Sequence, residues 1–395
     1  MTEKIEVKDI YCPLPFNHMN WHPNGNISVC CVAEMFPPND GFYRNNLRQM
    51  SNLKKDSIKE IWEESSIVDL RKQMLRGEKP PACHGCYKIE DRGGTSRRQN
   101  ERKRWGQNLT KPALEFIDLR MSNLCNSKCM MCYPDSSSSL IKEYSKWEEE
   151  LDFVPKNSTE YELFQWFDDK KIDELLEYKD TLKYLYINGG EPFMMPKQWK
   201  LLERLIDEGV SKNIHVSYNT NCSLYEDRFN EIWKEFKIVT LGMSVDAVGD
   251  KNKWIRKPIN TWESINKNIN SLVHADGLDH INLTCTIQWI NLPFMEEYYD
   301  WALPIIQQKE HSTINQNFVT FPGYLSVNAA PKEWKQKVHE QFKQSKHAKH
   351  ILTPTMVSYL EADEESELLY NQGKLFADTV SKERDDWREV FNYEY

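Results

Sequence analysis

Long apolar runs are missing from this sequence: nowhere do 18 apolar residues stand together, which excludes the ordinary signature of a membrane-spanning helix. The opening residues, MTEKIEVKDI, lack the apolar core and small-residue cleavage site of a secretory signal, so a cytoplasmic location with no membrane contact is expected. An excess of positive charge is missing too. With 51 basic against 60 acidic residues the net charge is −9, so general attraction to a phosphate backbone is excluded as the chain's character and any nucleic-acid contact must be local. Internal repeats are absent, and Ser136 to Ser139 is the only low-complexity run.

Aromatic residues and cysteines, by contrast, are plentiful. Thirteen Trp, 18 Tyr and 16 Phe mark a globular chain rather than a disordered one, and 395 residues suffice for two or three domains. Ten cysteines in a reducing compartment read as metal ligands or catalytic thiols before they read as disulfides, and most of them fall in pairs or a triplet.

Residues 1–92 hold Cys12, Cys30, Cys31, Cys83 and Cys86 among Pro and Asn-Gly punctuation, with one helical stretch, IKEIWEESSIVDLRKQML, in an otherwise loop-rich region. Residues 93–112 have the polar, basic composition of a connector. From 113 to 320 short apolar runs (LEFIDL, LKYLYIN, NIHVSYN, IVTLGMSV, HINLTCTI, INQNFVTF) alternate with helical segments such as PKQWKLLERLIDEG. That alternation predicts an α/β fold with a parallel sheet, and six such units can form an open barrel. The stretch from about 136 to 170 is longer than one crossover helix needs and reads as an insertion, while residues 321–395 read as a helical extension.

The chemistry centres on LEFIDLRMSNLCNSKCMMCYPD, which places Cys125, Cys129 and Cys132 just beyond the first apolar run. Thiolates are the usual protein ligands of iron-sulfur clusters, and an ordinary 4Fe-4S site uses four. Three leave one iron open, as a metal centre does when it must bind and activate something. The alternative is a buried helical stripe at i, i+4 and i+7, against which Asn123, Asn126, Ser127 and Pro134 argue for a loop.

The Cys-x3-Cys-x2-Cys spacing after a first strand resembles the radical S-adenosylmethionine (radical SAM) superfamily, over roughly residues 113–320. The resemblance implies a partial (β/α)6 TIM-type barrel and a 4Fe-4S cluster on Cys125, Cys129 and Cys132. In that family the open iron chelates S-adenosylmethionine, and one electron yields a 5'-deoxyadenosyl radical that abstracts hydrogen from substrate. Met131 stands where the family often has an aromatic residue, and its thioether can also pack on the cofactor.

Later strand ends carry further candidates. Gly189, Gly190 and Glu191 resemble the family's cofactor-binding turn, where glycines let carbonyls approach the cofactor's ammonium and Glu191 adds an anionic acceptor. Asn219, Asn221, Ser244 and Asp246 end the third and fourth strands, where loops of parallel α/β barrels contact ligands. Asp246 reads equally as a helix N-cap. Arg256 resembles the arginine that meets the cofactor carboxylate in related enzymes, a solvated surface arginine being the alternative, and Gln288 on the fifth strand could hydrogen-bond the adenine. Cys222 and Cys285 read as buried structural thiols.

Ahead of these, Cys12-x12-Gly25-x4-Cys30 with the distant Cys83-x2-Cys86 resembles the twitch module, a shortened SPASM domain, whose four thiolates would close a second 4Fe-4S cluster. The same four would serve a structural zinc, and Cys31 is a fifth candidate. In the connector, Arg92, Arg97, Arg98, Arg102, Lys103 and Arg104 face only Glu101, a basic run that could grip an anionic substrate or form a solvated helix face. The resemblance implies modification of a peptide or protein, with an electron donor such as flavodoxin or ferredoxin. The alternatives are an RNA, nucleotide or small-metabolite substrate, or a non-catalytic zinc-binding scaffold.

Overall fold

A computed structural model describes residues 10–33, 41–45, 47–91, 93–106, 111–156 and 162–392. Arg92 lies outside these residues. The six expected strands are present: β3 (Phe116–Leu119), β4 (Tyr184–Ile187), β5 (His215–Thr220), β6 (Ile238–Ser244), β7 (His280–Ile287) and β8 (Thr313–Phe318), preceded by β1 (His18–Trp21) and β2 (Ile27–Ser28). They form one sheet in the order β2-β1-β3-β4-β5-β6-β7-β8. The β1/β3, β3/β4, β6/β7 and β7/β8 pairs are parallel and β1/β2 is antiparallel. With β2 and β8 at separate edges the sheet is open, the α/β architecture expected for a partial barrel. The difference lies at its start. The loop-rich amino-terminal region supplies two strands, because His18–Trp21 is buried along its whole length and pairs with Phe116–Asp118.

Strand alternation separates two faces. Ile117, Leu119, Leu185 and Ile187, all fully buried and in register across β3 and β4, make one apolar face. Phe116, Asp118, Tyr184 and Tyr186 lie on the other, where the ring of Phe116 meets Tyr184 edge-on at 4.8 Å.

Helix ends follow their sequence signals. Ser57 and Glu60 close a capping box ahead of Ile58–Glu64, Thr261 caps Trp262–Val273, and Pro196 opens Pro196–Asp207, whose Trp199, Leu201, Leu202 and Leu205 are buried. The single helix expected over 58–75 is two, Ile58–Glu64 and Ile67–Leu75. Ser65 turns its hydroxyl back on the Ile61 carbonyl at 2.6 Å and its backbone is extended there. Beyond Pro331 the described chain is helical, with Lys332–Gln344, Pro354–Leu360 and Glu367–Ser381 the longer pieces.

The chain packs as two compact units, each discontinuous in sequence. One comprises segments 1–123, 163–217 and 235–238; the other comprises 124–162, 218–234 and 239–395.

Candidate metal and cofactor sites

In the second unit Cys125, Cys129 and Cys132 lie on a loop, not a helical stripe. Cys129 is buried and the other two are partly exposed. Backbone contacts hold this loop along its length. Ser139 donates to the Cys125 carbonyl and Ser137 to the Ser127 carbonyl, each at 2.6 Å. The Lys128 and Met130 amides donate to the carbonyls of Arg256 and Ile255 at 3.0 Å. Arg384, almost fully buried, donates to the Lys128 carbonyl at 2.6 Å and to Glu143 at 3.1 Å. Asn221 spends its amide on Asn126 and Ser127 at 2.8 and 3.0 Å, with the Cys125 sulfur 3.9 Å away.

The thiols are electrically coupled. A hydrogen bond from Cys132 holds the Cys129 thiol low, helped by the positive charge of Arg256, while the same bond, burial and the neighbouring sulfurs push Cys132 well up. Arg256 is therefore no solvated surface residue. Its Nε lies 2.7 Å from Asp246 Oδ2, with the Arg256 side chain 11% exposed and that of Asp246 fully buried. Nor is Asp246 a helix cap: the helix Gly249–Arg256 begins after Val248 without a side-chain cap, and the Asp246 carboxylate accepts the Thr286 amide at 2.8 Å. Gln288 is fully buried, and among the described residues neither atom of its amide has a hydrogen-bond partner. Such orphaned groups are rare in native interiors and fit a bound polar ligand. Gly242 on β6 leaves room for the Asn219 side chain, since a Cβ there would also approach the Tyr218 carbonyl to 2.9 Å.

In the first unit Gly189 and Gly190 both have positive φ, +79° and +58°, and a Cβ on Gly189 would come within 2.7 Å of the Cβ of Arg120. The pair of glycines is thus demanded by the turn. Glu191 is buried, and its carboxylate accepts the Phe193 amide at 3.2 Å, capping the turn Pro192–Met194.

The same unit gathers the other cysteines. The β1–β2 hairpin turns at Gly25, whose φ is +88° and where a Cβ would meet Asn52 Oδ1 at 2.8 Å, so Cys12 and Cys30 are carried to one place. Cys83 and Cys86 sit on the single turn that opens the helix His84–Asp91. All four line one cavity, together with Leu14, Val29, Arg97 and Arg98. Cys31 is not among the lining residues; its sulfur accepts Arg97 Nη1 at 2.6 Å. Burial pushes the Cys30 thiol up to about 12, with Arg97 opposing, and burial likewise pushes Cys12 and Cys83 up, reinforced by the other sulfurs. Four cysteines lining one cavity, three of them with thiols pushed up, fit a site completed by a cationic centre.

Residues 119–288 match the Radical SAM superfamily, and residues 12–87 match the SPASM iron-sulfur cluster-binding domain. The chain thus carries a radical SAM domain over residues 119–288 and a SPASM iron-sulfur cluster-binding domain over residues 12–87. It is similar to the radical SAM cyclopropyl synthase TigE of Paramaledivibacter caminithermalis, with 24% identity over 204 residues that cover 47% of this chain and 41% of that protein. It therefore spans less than half the length of that relative. Among solved structures it is similar to anSMEcpe with bound AdoMet, with a TM-score of 0.41, 14% identity and coverage of 59% of this chain and 60% of that one. Streptococcus suis SuiB bound to S-adenosylmethionine is also similar, with a TM-score of 0.36, 14% identity and coverage of 69% and 52%.

Several residues around the radical SAM loop escape sequence reasoning. Ser137 and Ser139 were visible only as low complexity, and Arg384 and Glu143 lie too far from the cysteines for spacing to connect them. The basic connector is the helix Arg97–Trp105, neither a simple solvated face nor an open grip. Arg97 and Arg98 face the cysteine cavity, and Arg104 lies 4.0 Å over the Tyr184 ring. No helix among the described residues is long and apolar enough to cross a membrane.

Proposed function

We propose that this protein uses a 4Fe-4S cluster on Cys125, Cys129 and Cys132 to cleave S-adenosylmethionine and abstract hydrogen from a peptide or protein substrate. The observation that carries the reading is the three-thiol loop itself, tied at Cys125, Ser127, Lys128 and Met130 while presenting only three sulfurs. When bound, the cluster and cofactor supply a 5'-deoxyadenosyl radical.

The chain's own residues orient and balance charge. Asp246 holds Arg256 beside Cys129 and Cys132, where the guanidinium offsets anionic sulfur and meets the cofactor carboxylate. Gln288, whose buried amide has no partner among the described residues, would bind the adenine, and Ser244 and Asn219 would serve the ribose and amino-acid portions. Met131 packs its thioether on the cofactor. The Gly189–Gly190 turn presents carbonyls to the ammonium, with Glu191 as the nearby acceptor. Asn221 serves by fixing the loop.

Cys12, Cys30, Cys83 and Cys86 hold a second 4Fe-4S cluster. The match of residues 12–87 to an iron-sulfur cluster-binding domain favours a cluster over a single zinc in this cavity. The domains follow as an auxiliary module over 1–92, a connector over 93–112, the core over 113–320 and a helical extension over 321–395. Peptide or protein modification is favoured because family members with such modules often act on those substrates. The electron comes from a flavodoxin or ferredoxin.

Replacing Cys125, Cys129 and Cys132 with alanine tests the reading. The expected result is complete loss of 5'-deoxyadenosine formation in air-free assays, and formation at the native rate would refute the assigned site.

A further inference from the structure

We infer that Arg97, on the connector helix, sets the reduction potential of the auxiliary centre, and that Glu101 trims its influence. This rests on reading the Cys12, Cys30, Cys83 and Cys86 cavity as an iron-sulfur site.

The connector helix begins at a capping box: the Ser96 hydroxyl accepts the Gln99 amide at 3.2 Å and the Gln99 side chain accepts the Ser96 amide at 3.1 Å. That cap fixes the first turn with Arg97 and Arg98 both in the cavity wall. The two differ in how their charge is spent. Arg98 forms a close ion pair with Glu90 and donates to the Tyr11 carbonyl at 3.0 Å. Arg97 lies 3.4 Å from the Glu101 carboxylate, one helical turn on, and sends Nη1 to the sulfur of Cys31, the residue adjoining Cys30. Glu101 is itself buried, and it also accepts Trp105 Nε1 at 3.1 Å, so its position does not depend on Arg97 alone. Burial works against the protonated Arg97 guanidinium, while Cys31, Cys30, Glu101 and Asp118 favour it, so Arg97 lies between the cysteine cavity and strand β3.

Reduction adds one electron, and so one negative charge, to a cluster already anionic with four thiolates. A guanidinium in the wall stabilises the reduced state more than the oxidised one, and a carboxylate does the reverse. With little water between, salt screens these effects weakly. Removing Arg97's charge therefore makes the cluster harder to reduce, and removing Glu101's charge makes it easier.

The test is a dithionite titration of the full-length chain carrying C125A, C129A and C132A, so that the auxiliary centre is the only iron site, read by electron paramagnetic resonance. Iron and zinc are measured on each sample. Arg97→Gln should shift the midpoint to more negative potential, Arg97→Lys should restore most of the shift, and Glu101→Gln should shift it the opposite way. The shifts should persist when ionic strength is raised. Clusters of four irons with no resolved shift, or with Arg97→Gln and Glu101→Gln moving the same way, would overturn the inference and leave the auxiliary cluster standing. Stoichiometric zinc without iron would overturn both. Should Arg97→Gln not fold, the opposite-signed shift of Glu101→Gln and the near-native potential of Arg97→Lys decide the question.

Discussion

Cys125, Cys129 and Cys132 share one loop, whereas Cys12, Cys30, Cys83 and Cys86 are drawn from a hairpin and a helix turn scattered between residues 12 and 86. The loop is local in sequence and owes its shape to distant chain: Ser137, Ser139, Ile255, Arg256 and Arg384 hold its backbone while Cys125 and Cys132 stay partly exposed. The amino-terminal group is the reverse, distant in sequence and gathered around one cavity, with the Cys12 and Cys30 thiols pushed up by burial. A three-thiol site left open for an exchangeable ligand needs its backbone fixed from outside. A four-thiol site gathered from distant segments is positioned by the fold around it.

The comparison breaks most visibly when thiols are removed. Loss of Cys125, Cys129 and Cys132 should lower iron from about eight to about four per chain, and serine at Cys86 should remove the other four while leaving some uncoupled cofactor cleavage, as measured by iron analysis and 5'-deoxyadenosine yield. Cys31→Ser is the sharper partner experiment. It should keep the auxiliary irons, because Cys31 lies outside the cavity lining, and an iron loss equal to that of the Cys86 variant would show the ligand assignment to be wrong.

Proton release is a further test of the auxiliary group. Cys12, Cys30 and Cys83 are held as neutral thiols in the metal-free protein, and only thiolates ligate, so auxiliary loading must release protons and weaken as pH falls. Reconstitution of the Cys125/Cys129/Cys132 alanine chain across a pH series, followed by iron retained per chain, should show this dependence.

Smaller effects belong to the supports of the open loop. Asp246→Asn leaves Arg256 as an unbalanced buried charge and should cost about 3–5 kcal/mol in urea unfolding of metal-free protein. Ser137→Ala or Ser139→Ala removes one hydrogen bond to the loop and should cost about 1 kcal/mol, seen as faster iron loss to a chelator from the Cys125 site with the auxiliary irons unaffected.

Strands were legible in their apolar runs: all six expected segments from LEFIDL to INQNFVTF contain one. β1 and β2 were not legible, because HMNW and IS are short and polar-interrupted, and their pairing depends on β3, almost a hundred residues on. The break at Ser65 was hidden because serine is tolerated in helices and only its back-bond to Ile61 reveals the stop. Arg97 and Arg98 looked like surface charge, since composition reports how many arginines a helix has and says nothing of which way its first turn faces.

Spacing by itself determined the three-thiol loop, the glycines at 189 and 190 and the pairing of Cys83 with Cys86, because each depends on residues a few bonds apart whose geometry the backbone constrains. Tertiary structure alone decided that Cys31 is set aside from its four neighbours, that Asp246 balances Arg256, and that Arg384 ties down a loop more than 250 positions earlier. Those outcomes turn on burial, and whether a charge or thiol is buried depends on what the rest of the chain packs against it.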